Sequence, residues 1–212
     1  MARIARTIHD AIGGDDFVAI ACDPSDPAYP HAAFIIRLGS KMYEYHFNGL
    51  RIELTTNTTD YFHIVTETIP QEEVPSFIAQ CRNIQKKANP QYGFFYPGSS
   101  YDFHGNHQSK TDFGEYMTCV GFCLNVMKGF LEEDYLAYLD WDNLPFPTSA
   151  YLQRFASLRE LDIADINAHH RRITPIELLT SALFSQLPIR KSSIDAELPQ
   201  VQQYIDAALG AS

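Results

Sequence analysis

The sequence is short of cations and of paired cysteines, and it contains no long apolar run. Lysine and arginine together number 16 against 26 acidic residues, which gives a formal net charge of −10. This acidic balance disfavours nonspecific nucleic-acid binding and charge-driven docking on an anionic membrane. The four cysteines include no CxxC pair, so neither a zinc ribbon nor a disulfide framework is indicated. No segment approaches the ~18 consecutive apolar residues of a transmembrane helix.

Signals for targeting and for repetition are also missing. Residues 1–11 contain two arginines and no apolar run, so the sequence as written has no secretory signal, although a trimmed signal would leave the same chain. Together with the unpaired cysteines, this favours a cytoplasmic protein with reduced thiols. No internal repeat or low-complexity segment is present. The 212 residues, 45% of them apolar, suit one large domain or one domain with an appendage.

The first half of the chain has the pattern of an antiparallel meander. Short apolar or alternating runs predict strands, and Gly39-Ser40 and Asn48-Gly49 are tight-turn signals between them. This half is therefore expected to form an antiparallel sheet. The predicted strands are residues 17–22, 31–38, 42–47, 51–56 and 61–69.

Helical patterns dominate the rest of the chain. The first of them has glutamates in its first turn and lysines in its last, as the helix macrodipole prefers. A later one begins with Thr174-Pro175-Ile176-Glu177, which combines an N-cap, a proline at N1 and an acid in the capping-box position. The predicted helices are residues 70–88, 119–131, 149–160, 174–186 and 196–209.

These elements predict an α+β fold. Residues 1–145 are expected to form an antiparallel sheet packed against the helix that begins at Cys119. Residues 146–212 are expected to form a helical C-terminal extension that packs on the same domain.

A cysteine stands at the start of the 119–131 helix. Thr118 is a good N-cap, because its hydroxyl can accept a free backbone N–H of the first turn. Large apolar side chains recur from Cys119 with a period near 3.6, so Cys119 begins the buried stripe at the positive end of the helix dipole. That position favours the thiolate, which is the nucleophilic form. The alternative is that Cys119 is a small core residue, since free cysteines are commonly buried.

Among eight histidines, His31 opens an apolar strand and is the candidate base for such a thiol. A two-residue loop at Gly39-Ser40 would set the register of the following hairpin. The period of two then puts His31, Glu44 and His46 on one face of the sheet. Either Glu44 or His46 can hold the His31 imidazole in the correct tautomer. The alternatives are a strand-end histidine bonded to a loop carbonyl and a Glu44 on a solvated face.

Four short motifs follow one another along the chain. They are His31-Ala32-Ala33-Phe34-Ile35, Tyr101-Asp102-Phe103, Thr118-Cys119-Val120-Gly121-Phe122-Cys123 and Thr174-Pro175-Ile176-Glu177-Leu178. Their order and spacing resemble those of the circularly permuted, papain-like cysteine hydrolases of the NlpC type, which include YiiX-like proteins and lecithin:retinol acyltransferase. The resemblance spans about residues 17–186. Thr118 stands where the family commonly has asparagine.

The resemblance implies a permuted papain-like fold and a cysteine hydrolase that acts through a thioester, without metal or organic cofactor. It implies that Cys119 is the nucleophile and His31 the base, with the Cys119 backbone N–H serving the oxyanion. For the third member the spacing favours Glu44, and His46 is the alternative. The expected substrate is a peptide-like or acyl-amide compound. The alternatives are an acyltransferase or lipid amidase with the same residues, and an inactive ligand-binding module.

Residues 91–117 form a long connection rich in aromatic residues and glycine, and loops of that length are commonly functional. Tyr101, Asp102 and His104, with Tyr96 from the aromatic run, are the candidate substrate-binding residues. The His-Gly-Asn-His segment that begins at His104 lacks further ligands at suitable spacing, so a cleft loop is favoured over a metal site. An apolar groove here would favour acyl chains, and a polar one peptides.

Overall fold

The computed structural model describes most of the chain. Within the described ranges, none of the helices combines the length and apolarity needed to cross a lipid bilayer. The described residues are 4–6, 14–26, 29–56, 59–93, 98–109, 114–142, 150–158, 160–169 and 171–210.

A six-stranded antiparallel sheet forms the centre of the molecule. Its strands lie in the order β1-β6-β2-β3-β4-β5. The strands from β2 to β5 therefore pair with one another in chain order, as the sequence predicts, and β6 returns to pair with β2. Alternating and apolar runs form these strands because every second side chain can be buried on the helix-covered face. The strands are β1 (Ala5–Arg6), β2 (Phe17–Asp23), β3 (His31–Leu38), β4 (Lys41–Phe47), β5 (Ile52–Thr56) and β6 (Phe62–Val65).

Helices complete the α+β class that the sequence predicts. Helices α1, α2 and α5 pack against the sheet, and α6 packs against α5. The helices are α1 (Val74–Lys87), α2 (Cys119–Leu131), α3 (Ala150–Leu158), α4 (Ile163–His169), α5 (Pro175–Ser181) and α6 (Lys191–Gly210). Four two-residue strands lie between α1 and α2: β7 (Gln91–Tyr92), β8 (Ser100–Tyr101), β9 (His107–Gln108) and β10 (Tyr116–Met117).

The main core lies between the sheet and the helices. Phe34 of β3 packs edge-on against Phe77 of α1, with ring centroids 5.4 Å apart. Tyr45 of β4 packs against Phe122 of α2 at 5.3 Å. Successive side chains of a strand point to opposite faces of the sheet. The residues next to Phe34 on β3 and next to Tyr45 on β4 therefore point away from the helices, to a face that we call the outer face. That face carries a smaller apolar cluster around Ala33 and several polar side chains.

A close approach fixes α2 against β8. A Cβ added at Gly129 would lie 1.7 Å from the carbonyl oxygen of Tyr101, so this crossing tolerates glycine alone. The Tyr101 carbonyl also accepts a hydrogen bond from Gln80 Nε2 at 3.2 Å. The contact links β8 to both α1 and α2, and it helps to set the position of the α2 helix that carries Cys119.

The C-terminal helices share this core. Leu178 and Leu179 of α5 and Ile194 and Ile205 of α6 are buried in the same cluster as the sheet residues. The Thr174 capping box predicted from the sequence is present, with Thr174 and Glu177 satisfying each other's backbone N–H groups. The sequence pattern missed α4, and it placed the start of α6 five residues too late.

Candidate active site

The β3–β4 hairpin has the register predicted from its turn. Leu38 pairs with Lys41 across a two-residue loop, and Ile35 pairs with Glu44. The same offset brings His46 beside Ala33, two residues from His31. His31, Glu44 and His46 therefore belong to one face, the outer face, as the period of two predicts.

His46, and not Glu44, makes the hydrogen bond to His31. His31 Nε2 lies 2.7 Å from His46 Nδ1, and the two rings meet edge to face at 4.9 Å. Glu44 approaches His46 instead, with Oε1 3.8 Å from His46 Nε2. His46, the alternative third member, is therefore the hydrogen-bond partner of His31 that the structure shows. The reason is distance along the strand, since Glu44 pairs four residues from His31, or roughly 13 Å at ~3.3 Å per residue.

Glu53 is a site residue that the sequence analysis missed. The β4–β5 register places it directly opposite His46, and its Oε2 lies 3.3 Å from His46 Nε2. Its other oxygen, Oε1, accepts hydrogen bonds from Arg51 Nε at 2.5 Å and from Asn48 Nδ2 at 3.1 Å. Extending the register across the Asn48-Gly49 turn would have found it, since that turn was already recognised.

The environment keeps His31 neutral. Burial lowers the pKa of His31 to about 4, His46 contributes in the same direction, and Asp23 on the neighbouring strand opposes them. A neutral imidazole is the form that can accept a proton at pH 7. The pKa of Glu53 is also lowered, chiefly by its hydrogen bond from Arg51, so this carboxylate is charged.

Cys119 begins α2 as predicted. The Thr118 hydroxyl caps the helix by accepting from the Gly121 N–H at 3.1 Å. The backbone N–H groups of Ala32, Val120 and Cys119 itself all stabilise negative charge on the sulfur. These three amides come from two elements, the start of β3 and the first turn of α2, and they converge on one atom.

Burial outweighs these amides at the thiol. The pKa of Cys119 is raised, with loss of solvent as the first cause, whereas the helix position alone predicts a lowered value. The resting pair is therefore a neutral thiol and a neutral imidazole. Cys119 is nonetheless the accessible thiol of the four, because it is half-buried while Cys22, Cys81 and Cys123 are fully buried. Burial raises the pKa of Cys22 to about 12.

Cys119 lies against the backbone at the start of β3, at Ala32, which follows His31 in the sequence. The Ala32 N–H that contacts the sulfur belongs to the peptide bond between His31 and Ala32. Cys119 packs on the helix-covered side, and the His31 side chain lies on the outer side with His46. His31 is the first residue of β3, so the strand end at which it lies is also the end at which the Ala32 amide meets the sulfur.

Tyr101 is a core residue and not a cleft residue. Its side chain is fully buried, and its hydroxyl donates to Met117 Sδ at 3.6 Å. Its ring packs against those of Phe122 and His107. The sequence pattern predicts a functional loop over residues 91–117, but β8 is held inside by its close contact with α2.

Asp102 and His104 belong to a tight turn between β8 and β9. Asp102 Oδ1 accepts the Asn106 N–H at 2.9 Å, which stabilises the turn. Gly105 has a positive φ of 82°, and a Cβ there would lie 2.4 Å from the Asn83 carbonyl oxygen of α1. His104 is exposed at the tip. The turn is thus built to pack on α1, and Tyr96 lies outside the described residues.

In the part of the chain that the structure describes, no cluster of three or more His, Cys, Asp or Glu side chains has an arrangement that could hold a metal ion. Comparisons with protein-family models, curated proteins and solved structures give no match. The function is therefore argued from the geometry of the site itself.

Proposed function

We propose that the protein is a cysteine hydrolase in which Cys119 is the nucleophile, His31 the base and His46 the residue that orients His31. The observation that carries the proposal is the juxtaposition at the start of β3. There the His31–His46 hydrogen-bonded pair adjoins the Ala32 amide that donates to the Cys119 sulfur. A nucleophile, a base and an orienting group in this order are the minimum set for covalent acyl transfer.

In the proposed reaction, the Cys119 thiol gives its proton to His31 as the sulfur attacks the carbonyl carbon of an amide or ester. The carbonyl electron pair moves to oxygen, and collapse of this intermediate breaks the bond to the leaving amine or alcohol, which takes the proton from His31. Water then attacks the thioester with His31 as base. The carboxylic acid leaves, and the thiol is restored.

The resting protonation states support general-base catalysis over a preformed ion pair. Burial raises the pKa of the Cys119 thiol and lowers that of His31, so both groups are neutral at pH 7. The first-turn N–H groups of α2 have no partner within the helix. They can stabilise the thiolate as it forms, and the Cys119 N–H can then bind the oxyanion.

Hydrolysis and acyl transfer use the same thioester, so the acceptor decides between them. We favour hydrolysis of peptide-like or acyl-amide substrates, because water needs no binding site of its own. Acyl transfer to an amine is the alternative. Adding a primary amine such as glycinamide to the assay below distinguishes them, since a transferase would form the amide with a rate that saturates as the amine concentration rises, and a hydrolase would form the acid.

The test is to trap the acyl-enzyme. Wild-type protein, Cys119→Ala and the matched control Cys123→Ala, one turn further along α2, are treated with p-nitrophenyl acetate and mapped by peptide mass spectrometry. We expect a burst of nitrophenol and an acetyl group on Cys119 in the wild type and in Cys123→Ala. Cys119→Ala should show neither. Acetylation that is unchanged in Cys119→Ala would overturn the proposal.

A further inference from the structure

On the outer face, two carboxylates lie near the second ring nitrogen of His46, and a site made of Cys119, His31 and His46 does not require them. His46 Nε2 is buried, and among the described residues it makes no well-aligned hydrogen bond. Two carboxylate oxygens nevertheless lie within 4 Å of it, Glu53 Oε2 at 3.3 Å and Glu44 Oε1 at 3.8 Å. A buried nitrogen that faces carboxylates in this way needs an explanation.

The arrangement determines where the imidazole protons lie. A nitrogen lone pair aimed at two carboxylates would be repelled, so His46 carries its hydrogen on Nε2. A neutral His46 then has its lone pair on Nδ1 and accepts a hydrogen bond there. His31 Nε2, 2.7 Å away, must donate that hydrogen. His31 therefore has its own lone pair on Nδ1.

We propose that Glu53 is the positioning residue that holds the proton on His46 Nε2 and thereby makes Nδ1 the basic nitrogen of His31. The catalytic consequence rests on the proposed function, because it needs His31 to act as base for Cys119. The proton on His46 Nε2 follows from the geometry, and the placement on His31 follows from it when His46 is neutral.

Glu53 rather than Glu44 has the leading role for two reasons. It is nearer to His46 Nε2, at 3.3 Å against 3.8 Å, and it faces His46 across the β4–β5 ladder. Its second oxygen is also tied down by Arg51 and Asn48, so the carboxylate is presented in one orientation. Glu44 adds negative charge from the same side at longer range.

The test reads the tautomers directly. Protein labelled with ¹⁵N-histidine is examined by long-range ¹H–¹⁵N NMR, which separates protonated from unprotonated ring nitrogens, with His31→Gln and His46→Gln used for assignment. In the wild type at pH 7 we expect both His31 and His46 as the Nε2–H tautomer. Observation of His31 as the Nδ1–H tautomer, or of a charged His46, would overturn the proposal without any variant.

Variants assign the effect to Glu53. Glu53→Ala should shift His46, and with it His31, toward a mixture of tautomers, and Glu53→Asp should restore part of the wild-type spectrum. Glu72→Ala, an exposed carboxylate at the start of the 71–87 helical segment, is the matched control and should change nothing. If Glu44→Ala shifts the tautomers and Glu53→Ala does not, the assignment to Glu53 is wrong.

The two proposals fail separately. If the tautomers are as expected but Cys119 is never acylated, the hydrolase is wrong and the proton placement stands. If Cys119 is acylated but Glu53→Ala leaves both the tautomers and the acylation rate unchanged, the role of Glu53 is wrong. Where both hold, acylation in Glu53→Ala should slow by about 10-fold, which corresponds to the loss of one hydrogen-bond-sized interaction in the transition state.

Discussion

The two faces of the sheet differ in what they bury and in what a substitution there should cost. The helix-covered face is a continuous core in which Phe34, Tyr45 and Phe122 pack without charge. The outer face, at the end of the same strands, buries His46 and Glu44 beside one another. Buried polar groups cost free energy unless they are paired, so the outer face has a composition that stability alone does not favour.

One strand serves both faces. The side chains of Ala32 and Phe34 point to the core, while those of His31 and Ala33 belong to the outer face, because successive residues alternate. The core residues position β3 against α2, and this brings the Ala32 amide to the Cys119 sulfur. The comparison therefore predicts a separation of effects: outer-face substitutions should change reactivity, and core substitutions should change stability.

The largest effect is expected at His31. Replacing it by glutamine removes the base, so acetylation of Cys119 by p-nitrophenyl acetate at pH 7 should slow by roughly 10²-fold to 10⁴-fold. The variant should stay folded, because His31 is half-buried at the start of its strand and glutamine keeps a polar side chain there. His104→Gln, at the exposed turn, is the matched control and should react at the wild-type rate. An unchanged rate in His31→Gln would mean that the outer face has no part in the chemistry.

The core face should respond in the opposite sense. Phe122→Ala removes an aromatic ring packed against Tyr45, Phe47 and Tyr101, and such truncations cost about 3–5 kcal/mol. Urea unfolding measures this as a lower midpoint with an unchanged slope. In the fraction that stays folded, Cys119 should still react with p-nitrophenyl acetate. A loss of stability under about 1 kcal/mol would show that this ring is not central to the core.

The two candidate partners of His31 should differ. His46→Gln breaks the 2.7 Å hydrogen bond and should slow Cys119 acylation by about 10-fold to 100-fold, because this bond is stronger once His31 has taken up a proton. Glu44 lies farther from His46 Nε2 than Glu53 does, at 3.8 Å against 3.3 Å, so Glu44→Gln should have a smaller effect. Stopped-flow release of nitrophenol gives both rates. A larger effect in Glu44→Gln, at equal melting temperature, would restore Glu44 as the orienting residue.

The smallest effect concerns acid stability. The folded-state pKa of His31 is about 4, below its ordinary value of 6.5, so between these values the unfolded chain binds more protons. The stability that follows from a neutral His31 is present above pH 6.5 and is lost as the pH falls toward 4. From about pH 7 to about pH 4.5 the wild type should lose more free energy of unfolding than His31→Gln. Equal losses would mean that His31 is not shielded from solvent.

Local signals in the sequence predicted the parts of the site that depend on neighbouring residues. The Gly39-Ser40 loop sets the hairpin register, which puts His31 and His46 on one face. The Thr118 hydroxyl caps α2, which places Cys119 at the helix start. Each of these features depends on a few consecutive residues and on the repeat period of a single strand or helix.

The remaining parts depend on contacts between distant segments. The pKa of Cys119 is set by the desolvation that follows when α2 packs on β3, and this exceeds the helix-dipole effect. The burial of Tyr101 results from the close crossing at Gly129. Glu53 can be found only by extending the strand register across the Asn48-Gly49 turn to β5. The spacing in sequence between His31 and Glu44 does not include the distance between them along the sheet, which His46 shortens by two residues.

The central claim is that the fold activates Cys119 as a nucleophile, and the rate of Cys119 acylation in folded and unfolded protein tests it most directly. p-Nitrophenyl acetate is added at pH 7 to native protein and to protein unfolded in guanidinium chloride, and the acetylation of Cys119 is followed by mass spectrometry. Burial alone raises the thiol pKa and would make the native thiol slower than the unfolded one. Activation by His31 predicts that native Cys119 reacts faster. A native rate below the unfolded rate would contradict the account and identify Cys119 as a core cysteine.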